Sequence, residues 1–220
     1  MKRVFDIVTS SMGLIILSPL LLVCILLICL DSHGGAFFKQ KRVGRYNRDF
    51  VLYKFRSMRS QAWAKGQLIT VGEEDPRITR IGRFIRRYKI DELPQLYNVL
   101  RGDMSIVGPR PLVRQQVELY PEDYMPILSV RPGITSNASI YFRNESKILG
   151  MVDHPERYFK EVIMPQKIKL NKEYVANQSF WNDMRLIGHT LFPCRAEEAP
   201  LPQAEDMPEG VRLKRDLAAN

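Results

Sequence analysis

Two adjacent carboxylates, Asp91 and Glu92, stand in the basic stretch RRYKIDELPQ, just before Pro94. Proline favours the first turn of a helix, so both side chains are expected at a helix start, where free N–H groups stabilise negative charge. Five cations in the preceding dozen residues would act in the same direction. The sequence therefore predicts two ionised carboxylates, the state that a nucleophile or a metal ligand requires. A helix cap at Asp91 with an ion pair at Glu92 is the alternative.

Basic residues recur beside Gly- and Pro-containing backbone. Those singled out as candidates are Lys54, Arg56, Arg86, Arg110, Arg131 and Arg143. The planar guanidinium group suits bidentate contact with phosphate, although charged runs are also common on solvated surfaces. Asp103 is a further acid for a divalent cation, and carboxylates beside phosphates favour Mg²⁺. Together these residues predict a site for a diphosphate substrate, with Asp91, Glu92 and Asp103 as candidate metal ligands.

Other kinds of catalytic site lack support in the sequence. The three histidines have no metal-ligand spacing, and no Ser–His–Asp order, Walker loop or G-x-G-x-x-G motif occurs. The three cysteines, Cys24, Cys29 and Cys194, form no disulfide framework, which indicates a reducing compartment.

The net charge of the chain is +9, and residues 196–220 carry six acids and three cations, so residues 1–195 carry +12. Such a balance favours an anionic partner: nucleic acid, lipid headgroups or a phosphorylated substrate. Nucleic acid ranks last, because it does not explain the N-terminal segment.

That segment, Ile7 to Leu30, contains no charged residue and is long enough for a helix to cross a bilayer. Basic residues flank it at both ends, which favours both ends on the cytoplasmic side. Ser18-Pro19 lies in the middle, where proline removes a backbone hydrogen bond. We therefore predict a re-entrant membrane helix over residues 1–33, broken at Ser18 and Pro19. A straight anchor and a cleaved signal peptide are the alternatives.

The remaining pattern predicts an α+β fold that is mostly helical. Aromatic and β-branched residues around a Gly44–Asn47 turn indicate a short β-hairpin. Apolar residues at helical spacing follow in the stretches beginning at Ile81 and Leu93, and SFWNDMRLIGHTLF is an amphipathic helix for the core or a membrane interface. A catalytic domain is predicted over residues 34–195. Residues 196–220 are acidic and proline-rich, and we predict a disordered tail.

Three stretches, YKFRSM, DPRITRIGRFIRRYKIDELPQLYNVLRGDMSIVGPRPL and RPGIT, resemble the monotopic phosphoglycosyl transferases, the small bacterial sugar transferases that begin glycoconjugate assembly. The resemblance runs from Lys2 to about Phe192, and its central block is long and specific. The initial KRVFD and the Ser-Pro pair also match the re-entrant helix of that family.

The resemblance implies an Mg²⁺-dependent enzyme that moves sugar 1-phosphate from a UDP-sugar to polyprenyl (undecaprenyl) phosphate and releases UMP. Asp91 matches the family nucleophile, which becomes a phosphosugar-enzyme intermediate, and Glu92 matches its acidic partner. Lys54, Arg86, Arg110 and Arg143 match the phosphate-binding neighbourhood. The implied location is the cytoplasmic face of the bacterial inner membrane, in contact with the lipid bilayer. A homo-oligomer and the sugar are left open.

One segment departs from the family pattern: SNASIYFRNES follows RPGIT where many members have a Gly-x-Ala-Gln-Val-x-Gly-Arg-Asn-like sequence. Two other functions remain as alternatives. A basic membrane-surface binding module would release no nucleotide, and a direct glycosyltransferase would release UDP.

Overall fold

The computed structural model describes residues 1–59, 75–192, 198–203 and 207–214. It begins with a long helix, α1 (Lys2–Asp31), which is the one helix among these residues that is long and apolar enough to cross a membrane. Only 11% of its most apolar window is buried, so α1 differs from the core helix of a soluble protein. The predicted apolar helix is confirmed.

Helical conformation continues through Pro19, so the predicted break at Ser18 and Pro19 does not divide the segment into two helices. Proline has no N–H to donate to Ile15, four residues earlier. The Ser18 hydroxyl donates to that same carbonyl oxygen over 2.8 Å and replaces the missing hydrogen bond. The Ser-Pro pair therefore keeps this part of the helix internally satisfied, as lipid surroundings require.

Two small sheets follow. β1 (Phe37–Val43) and β2 (Asp49–Phe55) form the predicted antiparallel hairpin, with Tyr46 and Asn47 of the turn at positive φ. β3 (Ser105–Val107) and β4 (Gly133–Thr135) pair in parallel.

The other regular elements in the described ranges are mostly short helices, which confirms the predicted α+β class. They are α2 (Arg80–Arg87), α3 (Gln95–Arg101), α4 (Arg114–Val117), α5 (Pro121–Ile127), α6 (Asn137–Tyr141), α7 (Glu145–Met151), α8 (Pro155–Tyr158), α9 (Met164–Ala176) and α10 (Phe180–Leu191). A π-helical turn, Phe159–Ile163, joins α8 to α9. α10 exposes Trp181, which is 80% accessible, and its Phe180 ring meets Phe5 of α1 edge to face.

The amino end of α1 is anchored to the domain by polar contacts. Lys2 donates to the Val107 carbonyl over 2.9 Å, to the Tyr174 hydroxyl over 3.0 Å, and to Asp183. Asp6 is buried, and it accepts from the Ser105 hydroxyl and the Ile106 N–H. Arg3 donates to the last carbonyls of α3, at Val99 and Leu100.

The carboxyl end of α1 is anchored as well, mainly by Arg56, which follows β2. Its guanidinium donates to the backbone carbonyls of Ile28, Ser32, His33 and Gly34. Only Ile28 of these four lies in α1, and its carbonyl also accepts from the Ser32 N–H, so the arginine mainly binds the backbone just after the helix. The Asp31 carboxylate in turn accepts from the backbone N–H of Ile81, in the first turn of α2, over 3.0 Å. Both ends of α1 therefore attach to one domain.

The C-terminal segment differs from the predicted disordered tail. Ala199, Val211 and Leu213 are buried in the largest hydrophobic cluster, which α5, α7, α8 and α9 also line. Leu213 pairs with Val152 in an isolated β-bridge. These apolar side chains gain enough contact with the helices to order the backbone around them. Residues 196–197, 204–206 and 215–220 of the predicted tail lie outside the described residues.

Candidate active site

Asp91 and Glu92 lie in a tight reversal between two helices. α2 ends at Arg87, Lys89 takes the left-handed conformation with φ 57°, and a 3₁₀ turn (Ile90–Glu92) leads through Pro94 into α3. A lysine at positive φ is uncommon. The reversal places the two carboxylates side by side below the hairpin, and Asp91 is only 8% exposed.

Glu92 is held by two cations. Its Oε1 accepts from Lys54 over 2.8 Å, and both of its oxygens accept from Arg110, with 3.2 Å between Nη1 and Oε2. Burial alone would raise the pKa of Glu92, but Arg110 and Lys54 outweigh it and hold that pKa well below the ordinary value. Glu92 is therefore an ionised group that fixes two phosphate-binding candidates in place.

Asp91 has the opposite environment. Its carboxylate accepts no hydrogen bond from any residue that the structure describes, and it caps neither the 3₁₀ turn nor α3, whose cap is Pro94. Burial raises the pKa of Asp91, Lys54 opposes that rise, and the charge of Glu92 adds to it. Both carboxylates lie in the first turn of the 3₁₀ helix. The ion pair that the alternative placed at Glu92 is present, with Arg110, whereas the helix cap that it placed at Asp91 is absent. The result is a buried carboxylate with open coordination.

Three of the predicted basic residues meet around this pair. Lys54 comes from β2, Arg110 follows β3, and Arg86 comes from the last turn of α2, within electrostatic reach of Asp91. The guanidinium of Arg86 has no hydrogen-bond partner in the described part of the chain. These cations surround the carboxylates from three different parts of the fold.

The position of Arg110 depends on a close backbone contact between β3 and β4. The Gly133 N–H donates to the Pro109 carbonyl over 2.9 Å. A Cβ added to Gly133 would lie 2.1 Å from the Gly108 nitrogen, and one added to Gly108 would lie 2.4 Å from the Arg131 oxygen. Both positions require glycine, because any side chain would separate the strands that carry Arg110.

The structure does not bring the other predicted arginines to Asp91. Arg56 is used at the carboxyl end of α1, as described above. Arg131 donates through Nε to the Gly102 carbonyl over 3.0 Å. Arg143 lies 3.5 Å from the Glu198 carboxylate. Arg56 and Arg131 therefore bind backbone carbonyls, and Arg143 forms an ion pair with the C-terminal segment.

Asp103 is likewise engaged elsewhere. Its carboxylate accepts from Asn98 over 3.3 Å and lies 3.5 Å from Arg101. Within the described ranges, no three His, Cys, Asp or Glu side chains cluster in a way that could hold a metal ion. Mg²⁺ is commonly bound by one or two carboxylates together with substrate phosphates. Asp91 and Glu92 fit that sparser arrangement.

One functional candidate escaped the sequence analysis. Arg42 on β1 lies near both Arg110 and Glu92, and its Nε is buried without a partner among the described residues. The signal that could have found it is the alternation of the hairpin, because Arg42 falls on the same face as Lys54.

A model of the bacterial sugar transferase family matches residues 1–195. The chain belongs to the bacterial sugar transferase family. The match includes α1, the hairpin and the whole turn that bears Asp91 and Glu92, and the sequence resemblance to this group is confirmed.

Three relatives of this sugar transferase are similar to it in sequence. It is 40% identical over 204 residues to undecaprenyl-phosphate galactose phosphotransferase of Salmonella typhimurium. The aligned region covers 86% of this chain and 39% of that protein. It is 39% identical over 196 residues to undecaprenyl-phosphate glucose phosphotransferase of Komagataeibacter xylinus, covering 86% and 35% of the two chains. Exopolysaccharide production protein PSS of Rhizobium leguminosarum bv. phaseoli is 40% identical over 197 residues, covering 87% and 93%. The chain thus spans less than half the length of the first two relatives and most of the third.

Proposed function

We propose that this chain transfers a sugar 1-phosphate from a UDP-sugar to polyprenyl phosphate and releases UMP. The observation that carries the proposal is the pair at positions 91 and 92. Asp91 is buried without a described hydrogen-bond partner, and Glu92 beside it is bound by Lys54 and Arg110. The galactose and glucose phosphotransferases named above act on undecaprenyl phosphate by their names, which supports this acceptor.

The reaction has two steps. An ionised oxygen of Asp91 attacks the phosphorus that bears the sugar, the bond from that phosphorus to the bridging oxygen breaks, and UMP leaves with the electron pair. The sugar 1-phosphate remains on Asp91 as an acyl phosphate. A phosphate oxygen of polyprenyl phosphate then attacks the same phosphorus and the Asp91 carboxylate leaves, which gives a polyprenyl diphosphate sugar. Two anionic substrates thereby react one after the other.

The surrounding residues stabilise charge during both steps. Lys54 and Arg110 are oriented by Glu92, and Arg86 faces Asp91, so fixed cations meet the phosphoryl oxygens where negative charge develops. Mg²⁺, held by Asp91 and Glu92 together with the diphosphate, would supply further neutralisation of those oxygens. Burial of the turn keeps water away from the acyl phosphate.

We also propose that α1 bends at Ser18 and Pro19 within the membrane, so that it enters and leaves on the same side, with the domain at the cytoplasmic face of the bacterial inner membrane. Support comes from the two anchors of α1: Lys2 contacts β3 and α10, and Asp31 contacts α2. A perpendicular crossing would place parts of one domain on opposite sides of a bilayer. The basic residues at both flanks of α1 favour the cytoplasmic side.

Nucleotide release tests the reaction. The full chain in lipid nanodiscs is mixed with Mg²⁺, undecaprenyl phosphate and a panel of UDP-sugars that includes UDP-galactose and UDP-glucose. UMP release is expected with at least one donor, and Asp91→Asn should lower it by about a thousandfold or more, since the nucleophile is lost. Asp123→Asn is the matched control, because Asp123 is an exposed partner of Lys172 far from the turn.

A second measurement follows the intermediate. Without acceptor, the mass of the protein should increase by one sugar phosphate, and Asp91→Asn should show no increase. Release of UDP would contradict the proposal and indicate direct glycosyl transfer. Release of neither nucleotide across the panel would favour a basic membrane-surface binding module.

A further inference from the structure

The β1–β2 hairpin presents one face to the active site. Directly paired residues of antiparallel strands lie on the same face of a sheet. In this hairpin Phe38 pairs with Lys54, Gln40 with Leu52, and Arg42 with Phe50. Lys54 reaches Glu92 from this face, so Gln40 and Arg42 are on the side of the hairpin that looks toward the carboxylates.

The head group of Arg42 is fixed in position there. Its Nη1 donates to the Pro111 carbonyl over 3.2 Å and its Nη2 donates to Gln40 Oε1 over 2.6 Å. Pro111 directly follows Arg110, so the same loop carries one guanidinium and binds the other. The two guanidinium groups are therefore held close together.

The Nε of Arg42 is buried and has no hydrogen-bond partner among the residues that the structure describes. Buried donors without a partner are rare in folded proteins, because each costs the desolvation of a polar group. A donor of this kind, on a head group fixed at its other two nitrogens, is suited to an acceptor that arrives from outside the chain.

The charges of the site point to the nature of that acceptor. Four cations, Lys54, Arg86, Arg110 and Arg42, surround the two carboxylates of the turn. Burial lowers the pKa of Arg42, the charge of Arg110 lowers it as well, and Glu92 opposes both, which together leave a pKa of about 10. Arg42 remains charged at neutral pH, so the site has an excess of positive charge that a doubly charged anion would balance.

We propose that Arg42 binds the diphosphate of the sugar donor through its free Nε–H, next to Arg110. This inference rests on the proposed function, since it assigns a donor-binding residue to the same site. Gln40 and the Pro111 carbonyl act as positioning groups that hold the guanidinium of Arg42 against the repulsion of Arg110. The acceptor phosphate is not bound by Arg42 in this assignment.

The first test is a binding measurement without turnover. UDP is titrated into the Asp91→Asn protein in nanodiscs, with Mg²⁺, alone or combined with Arg42→Gln, Arg42→Lys or Lys41→Gln. Arg42→Gln should raise the Kd of UDP about tenfold or more, as expected for one lost charged hydrogen bond. Arg42→Lys should not restore binding, because an ammonium group has no Nε–H at that position. Lys41→Gln removes a cation from the exposed face of the same strand and should leave the Kd unchanged.

The second test separates the two substrates in the active protein. Arg42→Lys should raise the KM for the UDP-sugar and leave the KM for undecaprenyl phosphate unchanged. A purely structural Arg42 would lower the unfolding temperature of both variants while the Kd of UDP stayed at the wild-type value, and that result would overturn the inference. A rise in the KM for the lipid alone would also overturn it. If Arg42→Gln leaves UDP binding unchanged while the protein with native Asp91 releases UMP, the role of Arg42 is rejected and the proposed function is kept. If UDP binding depends on Arg42 but no donor gives UMP, the proposed function alone is rejected.

Discussion

Neighbouring carboxylates in one turn have pKa values shifted in opposite directions. Glu92 is bound by Lys54 and Arg110 and stays ionised, whereas burial raises the pKa of Asp91. When two acids at one site are separated in this way, their chemical roles are separated as well. In the proposed reaction, Glu92 orients cations at every physiological pH, and Asp91 is the group whose protonation state limits the attack.

The acidic limb of the pH–rate profile should therefore belong to Asp91. Lys54 lowers the pKa of Asp91 and the charge of Glu92 raises it. An attacking carboxylate must lose its proton, so activity rises as pH increases through this pKa. Lys54→Met should move the limb to higher pH, and Glu92→Gln should move it to lower pH. The residual kcat/KM for the UDP-sugar is measured from pH 4 to 8, and a shift of both variants in the same direction would refute this assignment.

At the scale of elements, the junction between α1 and β2 depends on one arginine. Arg56 donates to four consecutive or near-consecutive carbonyls at the end of α1, and it is 7% exposed. Removing the guanidinium leaves the carbonyls of Ser32, His33 and Gly34 without this donor, whereas the Ile28 carbonyl still accepts from the Ser32 N–H. The contact gives Arg56 a structural role at the end of α1.

Arg56→Met should lower the free energy of unfolding by about 3 kcal/mol, since several hydrogen bonds to a charged group are lost. Thermal unfolding in detergent measures this change. The KM for the UDP-sugar of the folded protein should stay at the wild-type value. Arg59→Met is the control, because Arg59 is an exposed cation three residues away and its loss should change stability by less than about 0.5 kcal/mol. A raised KM with normal stability would return Arg56 to the phosphate site.

At the scale of the whole molecule, the double attachment of α1 predicts a one-sided topology. Cysteine labelling in intact cells measures it, with Cys24, Cys29 and Cys194 replaced by alanine. One reporter cysteine is placed in a short tag before Met1, and the other is Lys41→Cys on the exposed face of β1. Neither site should react with a membrane-impermeant maleimide until the inner membrane is opened. Labelling of one reporter alone in intact cells would show that α1 crosses.

The sequence located the parts of the site that are close together in the chain. Asp91, Glu92 and Arg110 belong to one continuous motif, and Lys54 lies in a second, so local patterns were sufficient. Arg42 was missed because its relation to the site depends on the register of two strands. The structural role of Arg56 was not foreseen, because a count of basic residues does not distinguish a guanidinium that donates to backbone carbonyls from one that binds a ligand.

The fold was predictable to a similar depth. The apolar run, the hairpin and the helices around Ile81 and Leu93 follow from periodicity. A break was predicted at Ser18 and Pro19, whereas helical conformation continues there, with the Ser18 hydroxyl donating to the carbonyl that Pro19 leaves open. The packing of Val211 and Leu213 was not foreseen either, since an acidic, proline-rich composition conceals two apolar side chains that fit a distant cluster.

The two anchors of α1 also fix the number of residues between them. Asp6 near one end and Ile28 near the other are both buried against the domain, so they must face the same side of the helix. Adding or deleting one residue between them would turn one anchor by about 100° and displace it by about 1.5 Å. The exposed positions of α1 can thus change in identity, whereas the number of residues between Asp6 and Ile28 is constrained. Sequence changes in α1 should therefore be substitutions and not insertions or deletions.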